Sequence, residues 1–166
     1  MEITLGVRTA ETAALYFERT SSSPLIRKTL PQKARTVDEA VADFYASQKP
    51  GASSFGRTIL ADGRYVGDVW CYCIDPDAAP NAMVGYCVFE PAYWDLGIAA
   101  QAIKLFLQEA GPKFGLGTGG AFTFADNFPS VRVLEKNGFR LMEEFVEDGV
   151  PSCYFQLDLK KGSVIG

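Results

Sequence analysis

The chain has 166 residues, of which 48% are hydrophobic and 22% charged, and it contains no histidine. This length suits one ordinary domain, and the composition is near the globular average, which argues against disorder and low complexity. The lack of histidine excludes Ser-His-Asp and Cys-His nucleophiles, His-ligated zinc and a histidine base. The formal charge of −4 provides no overall field for polyanions, so nucleic acid is not an expected partner.

The first residues lack the charged start and long apolar run of a signal peptide, and no stretch approaches about 18 apolar residues. We therefore expect a cytoplasmic protein that does not enter the membrane. Cys71 and Cys73 are two residues apart, which on a strand is a poor disulfide geometry. Their spacing with Cys87 matches no zinc pattern, so we expect free cysteines and no metal.

The first half of the chain predicts one strand, two helices and a hairpin. Alternating apolar residues predict the strand, and two threonines, the second in a capping box closed by Glu39, predict helix starts. An Asp-Gly pair between two β-rich runs is typical of a hairpin. In chain order, the predictions begin with a strand over residues 3–7, a helix that begins at Ala10 with Thr9 as its cap, and a break over residues 21–24. A helix capped by Thr36 that stops before Pro50 follows, and then strands over residues 55–61 and 64–74 joined by Asp62-Gly63.

The second half predicts strands and helices that alternate, followed by two final strands. In chain order, these are a loop over residues 75–81, a strand over residues 83–90 closed by Pro91, a helix over residues 97–110 ended by Gly111-Pro112, a strand over residues 121–125, a helix over residues 127–137 ended by Gly138, and strands over residues 139–146 and 153–159. This order predicts a single α+β domain with helices on the faces of one sheet.

One glycine run matches the spacing of a dinucleotide fingerprint. Gly115, Gly117 and Gly120 fit G-x-G-x-x-G, but the fingerprint requires a strand before it and a helix after it. Here the predicted helix comes first and the strand follows. We therefore interpret the run as a flexible helix-to-strand loop.

A second junction is a better candidate for an anion site. The strand that ends at Pro91 leads to a helix that begins around Gly97, with the small residues Ala99 and Ala100 close behind it. Free backbone N–H groups at such a helix start can face a phosphate, and a proline lets the strand diverge from its next neighbour. An ordinary strand-to-helix turn is the alternative.

Two motifs carry a resemblance to a known family. Residues 93–102, Tyr-Trp-Asp-Leu-Gly-Ile-Ala-Ala-Gln-Ala, look like the family's Tyr-Trp-Gly-x-Gly-Tyr-Ala-x-Glu-Ala turn. Residues 127–139 match Asn-x-x-Ser-x-x-x-Leu-Glu-Lys-x-Gly-Phe at Asn127, Ser130, Leu134, Glu135, Lys136, Gly138 and Phe139. The chain thereby resembles the GNAT superfamily of acyl-CoA-dependent N-acyltransferases, in its RimJ/RimL-like branch.

The resemblance implies a mixed, mostly antiparallel sheet that is splayed in the middle, with helices on both faces. Acetyl-CoA would be the co-substrate, with its pantetheine arm in the splay beside Val88 and Phe89. Asn127 would reach the arm, or simply cap its helix. The pyrophosphate would bind at the turn formed by Leu96, Gly97, Ile98, Ala99 and Ala100. Arg132 and Lys136 lie four apart and would meet the distal phosphate, or form a solvated face.

The chain departs from the family's pattern at the turn. Trp94 stands where the signature has Arg or Gln, and Asp95 and Leu96 replace a glycine and a small or basic residue. At about 6 Å and an effective dielectric of about 20, one like-charge pair costs roughly 3 kcal/mol. Asp95 therefore predicts weak CoA binding unless its carboxylate points away.

Acyl transfer to an amine needs an oxyanion donor, a neutral amine and a proton for the departing thiolate. The backbone N–H of Val88 or Phe89 is the candidate oxyanion donor. Glu90, at the strand end, is the first candidate for the base, with Asp68 and Asp75 behind it. The family's tyrosine acid falls at Leu134, whereas Ser130 matches the serine proposed in the RimL-like branch.

The sequence thus predicts an acetyl-CoA-dependent N-acetyltransferase that acts on a primary amine, either a peptide N-terminus or a small molecule, by direct attack. A non-catalytic module that binds an acyl-CoA or another small ligand is the alternative. A domain that pairs with a second copy of itself is the third possibility, because the aromatic content of 13% suits an interface. Acceptor choice would lie in residues 21–35 and 75–81.

Overall fold

The computed structural model describes residues 1–30 and 34–159. The described part contains seven strands, five α-helices and a short 3₁₀ helix over Pro91–Tyr93. The strands are β1 Ile3–Val7, β2 Phe55–Ala61, β3 Arg64–Tyr72, β4 Ala82–Val88, β5 Thr118–Phe124, β6 Arg140–Glu147 and β7 Val150–Asp158. The helices are α1 Ala10–Ser21, α2 Pro24–Thr29, α3 Val37–Ser47, α4 Ile98–Phe114 and α5 Phe128–Lys136.

All seven strands form one sheet in the order β1-β2-β3-β4-β5-β7-β6. Every neighbouring pair is antiparallel except β4 and β5, which are parallel. A parallel pair needs a crossover connection, and α4 supplies it. The predicted mixed, mostly antiparallel sheet with helices on both faces is confirmed.

The two faces of the sheet are covered by different helices. On one face, α4 packs across β1 to β4, and its Phe106 is fully buried in the main core with Ile59 and Val69. On the other face, α1 and α2 pack over a smaller cluster that includes Ile26 and Phe89. Truncating a core aromatic such as Phe106 to alanine typically costs about 3–5 kcal/mol.

Helix boundaries differ from the predictions at several points. Residues 21–24 predict a break, but Ser23 caps a short helix there, with its hydroxyl accepting from the Ile26 N–H at 3.4 Å and with Pro24 in the first turn. The helix predicted to end at Gly111-Pro112 continues as α4 to Phe114 and ends at Gly115, whose φ of 63° is left-handed. At α3, Thr36 caps the helix, but Glu39 accepts from the Arg35 N–H, so the predicted capping box is only half formed.

The glycine run is not a flexible loop throughout. Its last three residues belong to β5, which begins at Thr118. A Cβ on Gly120 would lie within 3 Å of the Tyr154 hydroxyl and of the Met83 sulfur. The glycine there therefore allows close packing between strands rather than phosphate binding.

Candidate functional site

The parallel pair β4 and β5 separates shortly after it begins. Only Ala82 opposite Gly119 and Met83 opposite Gly120 are paired, although β4 continues to Val88 and β5 to Phe124. The far edge of β4 stays paired with β3 through Val88. Beyond Met83, the edge of β4 that faces β5 therefore offers unpaired backbone groups to a cleft.

Asn81 connects the loop before β4 to the start of β5 by hydrogen bonds at the closed end of this cleft. Its Oδ1 accepts from the Gly117 and Thr118 N–H groups at 2.9 and 3.0 Å, while its Nδ2 lies 3.1 Å from the Asp75 carbonyl. The Asn81 N–H also donates to the Thr118 carbonyl at 3.0 Å. The residue joins the loop before β4 to the start of β5, and it was not among the residues singled out from the sequence.

The open end of β4 presents alternating backbone groups. The Phe89 N–H donates to the Val66 carbonyl on β3 at 2.9 Å, so the Phe89 amide cannot serve a thioester, and the prediction of Phe89 as an oxyanion donor is wrong. Because amides alternate in direction along a strand, the N–H groups of Tyr86 and Val88 point toward the cleft. The Val88 carbonyl, on the same edge, accepts from the Trp94 indole at 2.7 Å.

The turn after β4 ends in a helix start without a side-chain cap. Gly97 is the N-cap of α4, with a left-handed φ of 77°, and open space surrounds the position that a Cβ would occupy. The first intrahelical bond runs from Gln101 to the Gly97 carbonyl, which leaves the N–H groups of Ile98, Ala99 and Ala100 without helical acceptors. Such a helix start is suited to bind an anion.

The departure at Asp95 from the resembled motif has a backbone explanation. Asp95 has a φ of 59°, a conformation that favours glycine and that aspartate tolerates better than most residues. The glycine of the resembled motif and Asp95 thus meet the same backbone requirement. The Asp95 carboxylate is exposed and has no ion-pair partner among the described residues, and Leu96 is 52% exposed.

On the other side of the cleft, α5 places two predicted residues in its first turn. The Asn127 side chain accepts from the Ser130 N–H at 3.3 Å and caps the helix. The Ser130 Oγ lies 2.6 Å from the hydroxyl of Tyr86, which comes from β4. Burial raises the pKa of Tyr86 to about 12, so this phenol stays protonated at neutral pH. Tyr86 was not predicted as a site residue, because its partner lies 44 residues away in the chain.

The remaining positions of the second motif divide between core and surface. Leu134, at the position of the family's tyrosine acid, has no hydroxyl, and its side chain is 1% exposed and packs in the main core. Arg132 and Lys136 are exposed and make no ion pair with any residue in the described ranges. This exposure fits both a solvated face and a site for a distal phosphate.

The three candidate carboxylates lie in different surroundings. Glu90 contacts two guanidinium groups, Arg19 at 2.7 Å and Arg64 at 3.9 Å, in a crevice of about 220 Å³. Asp75 lies in an exposed loop and accepts from the Asp77 N–H. Asp68 lies on β3, opposite Cys87 of β4, and its side chain is only 4% exposed.

The Asp68 carboxylate has two partners. It accepts from the Tyr65 hydroxyl at 2.6 Å and pairs with the Arg8 Nε at 3.0 Å. Burial raises the pKa of Asp68, and the neighbouring guanidinium and phenol oppose that rise. Nearby, the Tyr16 hydroxyl is buried beside the Cys87 thiol without a well-oriented partner.

Asp68 lines a cavity of about 300 Å³ that we name the α1–α3 cavity. It lies between helices α1 and α3 and the face of the sheet that α1 covers. Its lining residues are Arg8, Ala13, Tyr16, Phe17, Leu30, Ala34, Ala40, Asp43, Phe44, Ser47, Ser54, Asp68 and Trp70. This cavity is not predictable from local sequence patterns, because its walls come from five separate segments.

Three features are absent from the described residues: a metal site, a disulfide and a membrane-spanning helix. No group of three or more Cys, Asp or Glu side chains there is arranged to hold a metal ion, and the four cysteines form no disulfide. Within residues 1–30 and 34–159, none of the helices is long and apolar enough to span a membrane.

Comparison with solved structures identifies proteins of the same fold. The aminoglycoside acetyltransferase AAC(6')-Ib, in complex with coenzyme A, superposes with a TM-score of 0.80 at 12% identity, over 98% of each chain. Mycobacterium smegmatis RimJ, in complex with CoA-disulfide, gives 0.81 at 20% identity, over 96% of this chain and 83% of its own. The microcin C7 self-immunity acetyltransferase MccE, with acetyl-CoA and AMP, gives 0.74 at 20% identity, over 95% and 92%.

Sequence comparison assigns the family. No curated protein sequence matches the chain at a significant level. The family model for the acetyltransferase (GNAT) domain matches residues 5–140. This match confirms the predicted superfamily. The chain belongs to the GNAT acetyltransferase family.

Proposed function

We propose that this chain is an N-acetyltransferase that moves the acetyl group of acetyl-CoA to a primary amine by direct attack. The observation that carries the proposal is the unpaired edge of β4, which leads from Met83 to the uncapped start of α4. Structural neighbours bound to CoA or acetyl-CoA support the same ligand here. The described residues also offer each kind of group that acyl transfer requires.

The co-substrate would lie along the cleft. The amides of Ile98, Ala99 and Ala100 would bind its pyrophosphate, and the amides of Tyr86 and Val88 would bind its pantetheine arm or its thioester carbonyl. Leu96, Asn127, Arg132 and Lys136 remain proposed contacts. An amide that already points into the cleft needs no reorganisation when negative charge develops on the thioester oxygen.

At the thioester carbon, the reaction forms a C–N bond and breaks the C–S bond. The amine nitrogen attacks this carbon, and CoA leaves as a thiolate. A thiol of ordinary pKa, about 8.5, leaves without strong acid assistance. We propose that the hydroxyl pair of Ser130 and Tyr86 donates a hydrogen bond to that sulfur, because the two oxygens lie 2.6 Å apart across the cleft.

A carboxylate would accept the proton that the amine loses. Glu90 remains a candidate, but an amine would have to compete with Arg19 for its carboxylate. Asp68 also has partners, Arg8 and Tyr65, but it is the stronger proposal, because it lines the α1–α3 cavity and burial raises its pKa, which favours holding a proton. Substitutions Glu90→Gln and Asp68→Asn separate the two, since only loss of the true base lowers kcat with little change in the Kd for acetyl-CoA.

The binding step is tested by calorimetry with acetyl-CoA on the wild type and on Ala99→Asp. An acidic residue in the first turn stabilises a helix but occupies the anion site. We expect Ala99→Asp to fold normally and to lose at least about ten-fold in affinity, or 1.4 kcal/mol. The matched control is Gln108→Glu, which adds the same charge about 14 Å further along α4, beyond the Debye length of about 8 Å.

Wild-type protein that binds no acetyl-CoA at high micromolar concentration would overturn the proposal. The non-catalytic alternative keeps the support of Asp95 at the turn and of the ion-paired Glu90. It predicts acetyl-CoA binding without release of free thiol when amines are added. The enzyme predicts thiol release that depends on the amine.

A further inference from the structure

Arg8 has an unusual position in the α1–α3 cavity. It follows β1 and precedes the capping Thr9 of α1, and its guanidinium lies over Gly56 of β2, where any Cβ would strike it. Its Cζ is 5.8 Å from the centre of the Trp70 ring. The glycine and the ring together hold the guanidinium against the sheet at the bottom of the cavity.

The terminal nitrogens of this guanidinium make no hydrogen bond with any described residue. Nε makes the shortest contact with Asp68, at 3.0 Å. The terminal nitrogens are not buried, and Arg8 lines the cavity with 22% of its side chain exposed. A guanidinium held in this way presents N–H groups in a planar fork, the geometry that binds a carboxylate through two hydrogen bonds.

The rest of the cavity combines apolar walls with opposite charges. Phe17, Leu30 and Phe44 contribute apolar surface, while Asp43 is exposed. Among the described lining residues, the cavity thus has one cationic and two carboxylate groups. Such a set complements a ligand that carries both an amine and a carboxylate, and it does not complement a polyanion.

The cavity reaches the strand that borders the cleft. Trp70 of β3 lines the cavity, and its indole also covers Gly85 of β4, where an added Cβ would lie 2.6 Å from the ring. Trp70 and Gly85 are paired across the two strands, and neighbouring strands lie about 4.8 Å apart. A ligand seated in the cavity therefore lies one strand away from the unpaired edge of β4.

We propose that the α1–α3 cavity binds an acceptor amine that carries a carboxylate on an apolar body, such as an α-amino acid with a large apolar side chain. The terminal nitrogens of Arg8 hold the carboxylate, and the apolar body packs against Phe17, Leu30 and Phe44. This inference rests on the proposed acetyl transfer, whose acceptor it specifies. At about 300 Å³, the cavity is at the small end of ligand pockets and suits a single residue-sized molecule.

The test compares amines that differ only in the carboxylate. Initial rates of thiol release from acetyl-CoA are measured with phenylalanine, leucine and methionine, and with the corresponding alcohols phenylalaninol, leucinol and methioninol. We expect kcat/KM for at least one amino acid to exceed that of its alcohol by about ten-fold or more. Arg8→Gln also removes a partner of Asp68, so it lowers kcat/KM for both amines, but it lowers the ratio of the amino acid's value to the alcohol's about ten-fold.

Two further variants keep the test decisive. Arg8→Lys retains the charge but lacks the planar fork. It should therefore fold even if Arg8→Gln does not, and it should still lose part of the preference for the amino acid over its alcohol. Arg57→Gln is the matched control, because Arg57 also has a 22% exposed side chain and pairs with a carboxylate, Glu109, but it does not line the cavity. It leaves the preference for the carboxylate unchanged.

The failures of the two proposals are distinguishable. Amine-dependent thiol release with no preference in any of the three pairs, or a preference that survives Arg8→Gln and Arg8→Lys, overturns this inference and leaves acetyl transfer standing. If acetyl-CoA neither binds nor reacts, acetyl transfer fails, and calorimetry of the three amino acids against their alcohols alone decides whether Arg8 binds carboxylates.

Discussion

Replacing Asn81 by leucine removes the side-chain hydrogen bonds that fasten the closed end of the cleft. Oδ1 accepts from two backbone N–H groups at 2.9 and 3.0 Å, and Nδ2 has carbonyl partners at 3.1 and 3.2 Å, at Asp75 and Ala78. Gly117 and Thr118, which donate to Oδ1, are partly exposed, so water can replace some of the lost bonding.

Each hydrogen bond contributes about 0.5–1.5 kcal/mol net, so Asn81→Leu should lower the free energy of unfolding by about 3 kcal/mol. At about 2–4 °C per kcal/mol for a chain of this size, the Tm falls by about 6–12 °C. Because β4 and β5 are paired through only two residues on each strand, we also expect weaker acetyl-CoA binding. Urea denaturation and calorimetry measure the two effects.

The control is Gln48→Ala, which removes an exposed amide whose side-chain partner is the Ser47 hydroxyl. Its free energy of unfolding should change by less than about 0.5 kcal/mol. A loss below about 1 kcal/mol for Asn81→Leu would refute the reasoning, because the side-chain bonds would then be no better than those made with water.

Three further predictions concern the cleft and the cysteines. Tyr86→Phe and Ser130→Ala should each lower kcat about ten-fold with little change in KM for acetyl-CoA, and the double variant should be no worse than either, because the hydroxyls act as a pair. Asp95→Gly should tighten acetyl-CoA binding about three- to ten-fold in calorimetry, since it removes a like charge beside the proposed pyrophosphate site; unchanged affinity would mean that the carboxylate faces away. Burial raises the pKa of Cys71 and Cys87 to about 12, and Cys153 is also buried, so a thiol reagent should label the exposed Cys73 alone in folded protein.

The turn and the helix caps that depend on a few neighbouring residues could be predicted from the sequence. The Asp62-Gly63 hairpin forms because both residues take positive φ, 48° and 81°, as the pair suggests. Asn127 and Thr9 cap helices as expected. The break predicted at residues 21–24 is wrong, because Pro24 also suits the first turn of a helix and Ser23 supplies the cap.

The site depended on contacts between distant segments. Glu90 follows β4 as expected, but its ion-pair partner Arg19 lies 71 residues away, and no pattern around Glu90 predicts that pair. The Tyr86 hydroxyl meets Ser130 only because the strands separate after Met83. The motifs identified the family, whereas the α1–α3 cavity could be recognised only once the fold was known.

The central claim is acetyl transfer from acetyl-CoA to an amine through the cleft between β4 and β5. The most direct measurement is an initial-rate assay of thiol release with acetyl-CoA and the panel of amino acids and amino alcohols, with the acetylated product identified by mass spectrometry. The account predicts release that requires an amine and that falls in Ala99→Asp and in Ser130→Ala. Acetyl-CoA binding without an acetylated amine, at any amine concentration up to millimolar, would contradict it.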